Sequence, residues 1–588
     1  MEGNSKIYKI GIYDRYLSTA GGGERYSCKI AELLSGNKKY RVEIVTDLYA
    51  DTAAVGKKLN IDLSGTTLKV FPFLSEEYAA GITGCYDIFI NATYLSSLSS
   101  HAGRNIYLCY FPTPFDIDFS FLHRVALLFL RYPALLLYRL SERISKGLRN
   151  INILEGVYDT RRFMLYRGSF TSGNAKIVYE FNKEKSGHTK KSLIPGNYPE
   201  KSGNKIAIML KNPATLGAEN MRCSLAVYRL DQSEMDSKKA GFFCRDTAIP
   251  ERSREIFSEN FNISSGSKKL TEISFDKNAG SRFLLSIRSD TFNARQTGSS
   301  GPDTRNLGVV VYNRQRINFL VKIFFKLLGF IPLFLVTYPE NLSFLNTYNR
   351  VISISKYSEK WIKKSWNRSS TILYPPVDIE NFSPGKKEKI ILSVGRFFPQ
   401  HHNKKQLEMV KRFIELHDSH NDIFRDYRLI LAGGVENKPA HIQYVEEIKK
   451  ICPGYPVEVL TNIGWKELRD LFSRSLIFWH AAGMGEDEDK NPEKFEHFGI
   501  TTVEAMASGC ICVVINKGGQ PEIIEDGKNG FLFGSWKELK DKTLDICLGN
   551  ADIDAISENA VKRAADFSGR QFGKKLEEIV ENEISSIR

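Results

Sequence analysis

A chain of 588 residues is too long for one hydrophobic core, so two to four domains are expected. Its 42% hydrophobic and 26% charged residues exclude a disordered chain, and the net charge of +14 calls for an anionic partner such as lipid headgroups or a phosphorylated substrate. With no aromatic-interleaved RNA motif, zinc-finger spacing or long basic block, nucleic acid ranks last and is not expected.

The nine cysteines are scattered and form no C-x-x-C pair. That spacing points away from a disulfide framework or a zinc site and toward a reducing compartment. Met1–Lys6 leads directly into an apolar strand with no leader-like run, so a cytoplasmic location is expected.

Ile7–Tyr13 reads as a buried first strand, Gly21-Gly22-Gly23 as a tight turn, and Glu24–Leu34 as a helix with apolar positions at helical spacing. Strand, glycine-rich turn and helix is the order that brings backbone N–H groups and a helix N-terminus to an anion. The same order also serves a plain tight loop. Further strands are predicted at Val42–Thr46, Leu68–Phe71, Ile88–Asn91 and Asn105–Tyr110, with helices between them. Such alternation predicts a doubly wound parallel sheet.

Phe121–Leu140 and Ile317–Tyr338 are strongly apolar, yet carry cations and internal prolines (Arg131 and Pro133 in one, Lys322 and Pro332 in the other). Length alone would allow a membrane span. Charges beside aromatics fit better an interfacial helix meeting anionic lipid, and a buried helix of a large domain is the plainer reading. Between these segments, residues 150–316 lose helical periodicity and show short alternating runs, among them Lys205–Leu210, Cys223–Leu230, Leu270–Phe275, Arg282–Ile287 and Leu307–Tyr312. They predict an inserted antiparallel β-sandwich, serving as a carbohydrate-binding or spacer module.

The α/β pattern resumes at Val351–Ser355, Glu359–Trp366 and Thr371–Tyr374, and Pro375-Pro376 marks an expected link. Strands follow at Ile390–Val394, Arg428–Ala432, Pro456–Leu460, Leu476–Trp479 and Ile511–Asn516, a second doubly wound sheet. The expected division is 1–149 and 317–375 for an N-terminal Rossmann-like domain, 150–316 for the insert, 376–570 for a C-terminal Rossmann-like domain, and 571–588 for a helix crossing back.

Candidate chemistry concentrates in that last large domain. Gly395 and Arg396 follow its first strand, and Lys404 opens the next helix. A guanidinium and an ammonium at a helix N-terminus make a good diphosphate site, although most Lys and Arg side chains are simply solvated. Asn491–Gly499 (N-P-E-K-F-E-H-F-G) runs into I-T-T-V-E-A-M-A-S-G, a loop turning into a helix that carries the carboxylates Glu496 and Glu504. Open α/β sheets bind ligands at such strand-end loops. The tract Glu486-Asp487-Glu488-Asp489 reads as a solvated loop rather than a metal site.

The set V-G-R-F-F, H-N-K-K-Q-L-E-M-V, L-I-L-A-G-G, E-H-F-G-I-T-T-V-E-A-M-A-S-G and G-G-Q-P-E-I-I resembles family-4 glycosyltransferases of the GT-B fold, in which two Rossmann-like domains face a cleft. Glu496 and Glu504 match the family's E-x₇-E pattern, and G-G-G-E-R and Y-P-P-V-D (Tyr374–Asp378) also match. The E-H-F-G-I string looks like the dolichol-linked-oligosaccharide α-1,2-mannosyltransferases. The resemblance covers about 1–120 and 335–588 and is absent from the insert.

The resemblance implies a retaining hexosyltransferase, mannose favoured, that moves a sugar from a nucleotide diphosphate sugar to a lipid-linked or glycan acceptor at the cytosolic face of a membrane. Arg396 and Lys404 would hold the diphosphate, and Glu504 the ribose. Glu496 would contact the sugar together with backbone amides of the loop it begins, at His497, Phe498 and Gly499. Gly21, Gly22 and Gly23 would approach from across the cleft. No cofactor and no obligatory metal are implied. One departure stands out: many members carry a histidine after the strand matching Asn105–Tyr110, whereas this chain has Cys109-Tyr110-Phe111-Pro112, and His101 precedes the strand. A soluble transferase for polysaccharide or small glycosides, and a non-catalytic carbohydrate-binding scaffold, are the alternatives.

Overall fold

The computed structural model describes residues 6–46, 50–70, 82–117, 119–144, 151–157, 169–181, 205–213, 220–230, 254–275, 281–293, 306–313, 319–332, 334–339, 341–400 and 403–587. The chain forms two compact units, one of residues 1–106, 114–349 and 586–588, the other of residues 107–113 and 350–585.

In the first unit, β1 (Tyr8–Tyr13), β2 (Tyr40–Thr46), β3 (Thr67–Val70), β4 (Ile88–Asn91) and β5 (Arg104–Cys109, which enters the second unit at Tyr107) lie in the order β5-β4-β1-β2-β3. β1 pairs in parallel with β2 and β4, and β2 with β3. Continuous burial of Ile10, Ile12, Ile44, Val45, Ile88 and Ile90 explains the near-unbroken apolar runs, since a parallel sheet is covered on both faces. The chain order reverses between β1 and β4, so the carboxyl ends of those two strands open the crevice where such sheets take ligands. Asp14, which follows β1, is buried there.

The region between is antiparallel throughout. Its strands are β6 (Ile151–Val157), β7 (Ser169–Phe181), β8 (Lys205–Lys211), β9 (Asn220–Leu230), β10 (Arg254–Ser264), β11 (Lys268–Ser274), β12 (Ser281–Ser289), β13 (Phe292–Asn293), β14 (Asn306–Leu307) and β15 (Val310–Asn313). A sandwich of two sheets was expected. The strands form one connected eight-stranded path, β10-β9-β12-β7-β15-β8-β11 with β6 on β7, beside the short β13–β14 pair. β7 is the turning point: residues 174–181 pair with β12, and Ser169 and Phe170 pair with β15. Inward residues from the whole path, including Ile177, Ile208, Leu225, Leu285 and Val311, share a single core. Tyr138 of the helix Phe121–Ile144, and Phe325 and Leu328 of the helix Phe319–Leu328, complete that core. The expected second apolar helix is in fact two, broken between Leu328 and Phe334 at Gly329 and Pro332.

The second unit holds β16 (Arg350–Ser353) and β17 (Thr371–Ile372), paired in parallel, and the sheet β18 (Glu388–Val394), β19 (Arg428–Gly433), β20 (Val457–Thr461), β21 (Ser475–His480), β22 (Ile511–Ile515) and β23 (Phe531–Phe533). That sheet is all parallel in the order β20-β19-β18-β21-β22-β23, so it too reverses at its centre, between β18 and β21. This unit starts at Arg350 and includes Pro375-Pro376, earlier than the expected boundary at 376. The C-terminal helix, Gly569–Ser585, is tied within it by Arg350 Nε donating to the buried Glu583 at 2.6 Å. Among the described cysteines seven are free thiols. Cys85 is disulfide-bonded, whereas the cysteine spacing pointed toward a reducing compartment.

Candidate functional site

The second unit brings three sequence-distant groups together at the reversal point of its sheet. β18 is followed by Gly395, where an added Cβ would lie 2.8 Å from Cγ of Lys404. The lysine stem therefore lies directly over Gly395, and a side chain there would push it aside. Gly433, at the end of β19, is closer still, with a virtual Cβ 1.9 Å from the Gly395 carbonyl oxygen. Two adjacent strand ends are thus held at backbone contact.

The turn before the next helix, Gln406–Ser419, is held by local bonds. Lys405 adopts φ 60°, in the left-handed region. Its N–H donates to Asn403 Oδ1 at 2.6 Å, and Gln406 Nε2 donates to the carbonyl of Arg396 at 3.1 Å. Lys404 is thereby aimed at the loop after β21, where its ammonium ion-pairs with Glu496. His480, the last residue of β21, reaches the same carboxylate oxygen, Nε2 to Oε2 at 2.9 Å.

The protonation states follow from this packing. Burial pulls the His480 imidazole below its ordinary range, keeping it neutral. Gln520 Nε2 lies 3.5 Å from His480 Nδ1, and Thr502 Oγ1 donates to Gln520 Oε1 at 2.9 Å. With the amide N–H facing Nδ1, the imidazole proton sits on Nε2 and is donated to Glu496. Burial would raise the Glu496 carboxyl, but the Lys404 charge and the His480 contact hold it well below the usual carboxylate range. The result is a carboxylate and an ammonium of fixed charge at the strand ends. The ammonium has three N–H donors, one of which serves Glu496.

The remaining predicted residues fall around this pair. Arg396 follows Gly395, and its guanidinium lies over the Phe398 ring at 4.5 Å. Glu504 is buried on the helix Ile500–Ala507, whose N-cap, Gly499, has φ 121° and would place a Cβ 2.6 Å from Gln520 Nε2. His497 stacks on Phe111 with centroids 4.0 Å apart and planes 4° from parallel. Phe111 belongs to the loop that departs from the family pattern, so an aromatic face stands there. Phe498 is buried between Tyr374 and Phe567, at 5.5 and 5.3 Å, which leaves only its backbone for a ligand. The loop is pinned from behind by Gly519 N–H donating to the Glu496 carbonyl at 2.7 Å. At Gly518 and Gly519 a Cβ would strike the Glu496 and His497 carbonyls.

Gly21, Gly22 and Gly23 lie in the first unit, at the start of the helix Gly22–Ser35, where Glu24 accepts from the Gly21 N–H at 2.7 Å. The acidic tract is engaged by lysines: Glu486 with Lys405 and Lys494, both at 2.9 Å, Asp487 with Lys490, and Asp489 with Lys364. His480, Gln520 and Asn403 were not anticipated from the sequence. The available signal for His480 was a polar residue closing the apolar run L-I-F-W at a strand's carboxyl end.

Residues 377–563 match the family model described as "Glycosyl transferases group 1". A Xenopus tropicalis protein named GDP-Man:Man(3)GlcNAc(2)-PP-Dol alpha-1,2-mannosyltransferase is 30% identical over 38% of this chain and 44% of its own length. A Neurospora crassa alpha-1,3/1,6-mannosyltransferase is 26% identical over 38% of this chain and 53% of its own. The chain thus spans about half the length of the curated relatives it matches. A solved sucrose-phosphate synthase from Thermosynechococcus elongatus is 18% identical, with a TM-score of 0.35 over 42% of this chain and 60% of its own. The sheet that aligns Lys404, His480 and Glu496 therefore lies within the segment, residues 377–563, that matches the glycosyl transferases group 1 model.

Proposed function

We propose that the second unit binds a nucleotide diphosphate sugar and transfers its hexose, with retention of configuration, to a lipid-linked or glycan acceptor. The observation that carries this reading is the Lys404–Glu496–His480 cluster at the reversal point of a doubly wound sheet. GDP-mannose is the favoured donor because relatives matching this segment are named for it. A cytosolic membrane surface is the favoured setting because one such relative is named for a dolichol-linked acceptor.

In this reading Lys404 and Arg396 hold the diphosphate. Cleavage of the glycosyl phosphate bond builds negative charge on the leaving group and positive character on the sugar. Cations already fixed in place lower that barrier without reorganising, and one such contact is worth roughly 10²- to 10³-fold in rate. Glu496, anionic at neutral pH, lies where it can meet the sugar together with backbone amides of 497–499. Glu504 accepts from the ribose hydroxyls. The leaving phosphate takes the acceptor proton, and no divalent metal is needed. The test is nucleotide release from a panel of sugar nucleotides, with and without chelator. GDP-mannose turnover that is lost in Lys404→Ala supports the reading, and full turnover by that variant overturns it.

A further inference from the structure

We propose that the inserted β module is a pedestal that holds two helices flat so that their outer faces form one docking surface for an anionic bilayer. This deepens the reading above, because it rests on an acceptor that resides in a membrane.

The helix Phe121–Ile144 has a narrow inner stripe and a broad outer face. Leu127, Arg131, Ala134 and Tyr138, spaced by four, three and four, turn inward, with Ala134 and Tyr138 buried. Tyr138 enters the core shared by the β strands. Arg131 Nη2 donates to the Tyr338 carbonyl at 2.8 Å, and its guanidinium lies over the Tyr338 ring. His123 and Phe119 pack on Phe334. On the other side Leu122, Phe129, Leu136 and Leu140 recur at spacings of seven, seven and four and are all exposed, Phe129 by 68% and Leu136 by 68%.

The helix Phe319–Leu328 repeats the arrangement. Phe325 and Leu328 enter the same β core, while Leu327 and Phe330 are exposed by 60% and 74%. Among the described residues only Phe121–Tyr138 is long and apolar enough to cross a membrane, yet its inner stripe at Ala134 and Tyr138 is committed to protein contacts. That one-sided commitment describes a helix lying in the interface plane.

Charge selects the occupant. Exposed Lys326 stands beside Leu327, and exposed Arg124, beside Phe121 and Leu122, also pairs with Asp116 at 3.2 Å. The chain as a whole carries +14. Cations rimming an apolar face fit phosphate-bearing headgroups above acyl chains, whereas a symmetric contact with a second copy would set these cations against one another.

Flotation of the full chain with phosphatidylcholine vesicles, with and without phosphatidylserine, tests this. Wild type is expected to float with the anionic vesicles and to release at high salt. A Phe129→Glu/Leu136→Glu variant should lose about tenfold or more in partitioning, as several buried methylenes are given up. Both positions are exposed, and a Phe129→Ser/Leu136→Ser variant, without added charge, should show the same direction. Binding of water-soluble GDP-mannose, measured in parallel by calorimetry, should be equal in all forms. Absence of wild-type flotation, or flotation unchanged by either variant, overturns the docking surface. A lipid-free dimer that both variants dissolve overturns it in favour of self-association. Loss of donor binding with flotation intact would instead count against the transferase reading alone.

Discussion

Each parallel sheet places a carboxylate near the carboxyl end of a strand flanking its reversal point, and the two carboxylates behave oppositely. Asp14 follows β1, is buried, and accepts from Ser27 Oγ at 2.5 Å and from the Tyr16 N–H at 3.0 Å. Burial, with Glu24 adding repulsion, outweighs those bonds and pushes its pKa up to about 7. Glu496, in the loop after β21, also suffers desolvation, but Lys404 and His480 pull it well below the usual range. The same topology therefore yields a protonatable acid in one sheet and a permanent anion in the other. The decision is made by one ammonium and one imidazole N–H, not by depth of burial.

The largest test of that contrast removes the ammonium. Lys404→Ala should cut nucleotide release roughly 10²- to 10³-fold by stripping a fixed cation from the leaving group, and an unchanged rate would break the comparison. On the other side, native Asp14 keeps its proton up to about pH 7, while the unfolded chain releases it near 3.8. The folded value is raised, so the native state binds the extra proton across that window and stability falls as pH rises through it. The slope is roughly 1.4 kcal/mol per pH unit, a few kcal/mol in all. Asp14→Asn should flatten the loss, and its melting midpoint should exceed wild type by more at pH 8 than at pH 4.

Smaller effects sharpen the geometry. Gly433→Ala forces a methyl against the Gly395 carbonyl and should cost about 1–3 kcal/mol in denaturant unfolding, with the Lys404 site disturbed in step. His480→Leu removes the N–H that Glu496 accepts and should lower turnover about tenfold, consistent with about 1.5 kcal/mol for a hydrogen bond to a charge. His480→Gln, which can return a donor to the same place, should recover most of that loss in kcat; equal defects in both variants would mean a packing role only. Lys364→Ala, breaking an exposed pair with Asp489, should change stability by less than about 0.5 kcal/mol.

Much of this was legible in the residues. Ile88–Asn91 and Arg428–Ala432 announce themselves because strands buried on both faces are written as unbroken apolar runs. The E-x₇-E spacing fixed Glu496 to a loop and Glu504 to a helix, as found. Other parts were hidden for physical reasons. β10 buries only Ile263 fully, and Glu259 interrupts the apolar alternation of Phe257, Phe261 and Ile263, while β23 has only three residues. Lys404 and Glu496 are 92 residues apart, so their pairing depends on strand order, which periodicity does not encode. The Phe498 ring packs beside Phe567, a contact across 69 residues that no local pattern announces. His480 needed the register of β21 beside β18 before its role could be read.

β7 hydrogen-bonds to β12 along one stretch and to β15 at the other end. Both arms of the sheet thus share this strand and one core, so they should melt as a single event rather than one after the other. Force applied to the helices would be shared across the whole sheet, giving that part of the molecule the stiffness of a clamped beam rather than a hinged flap.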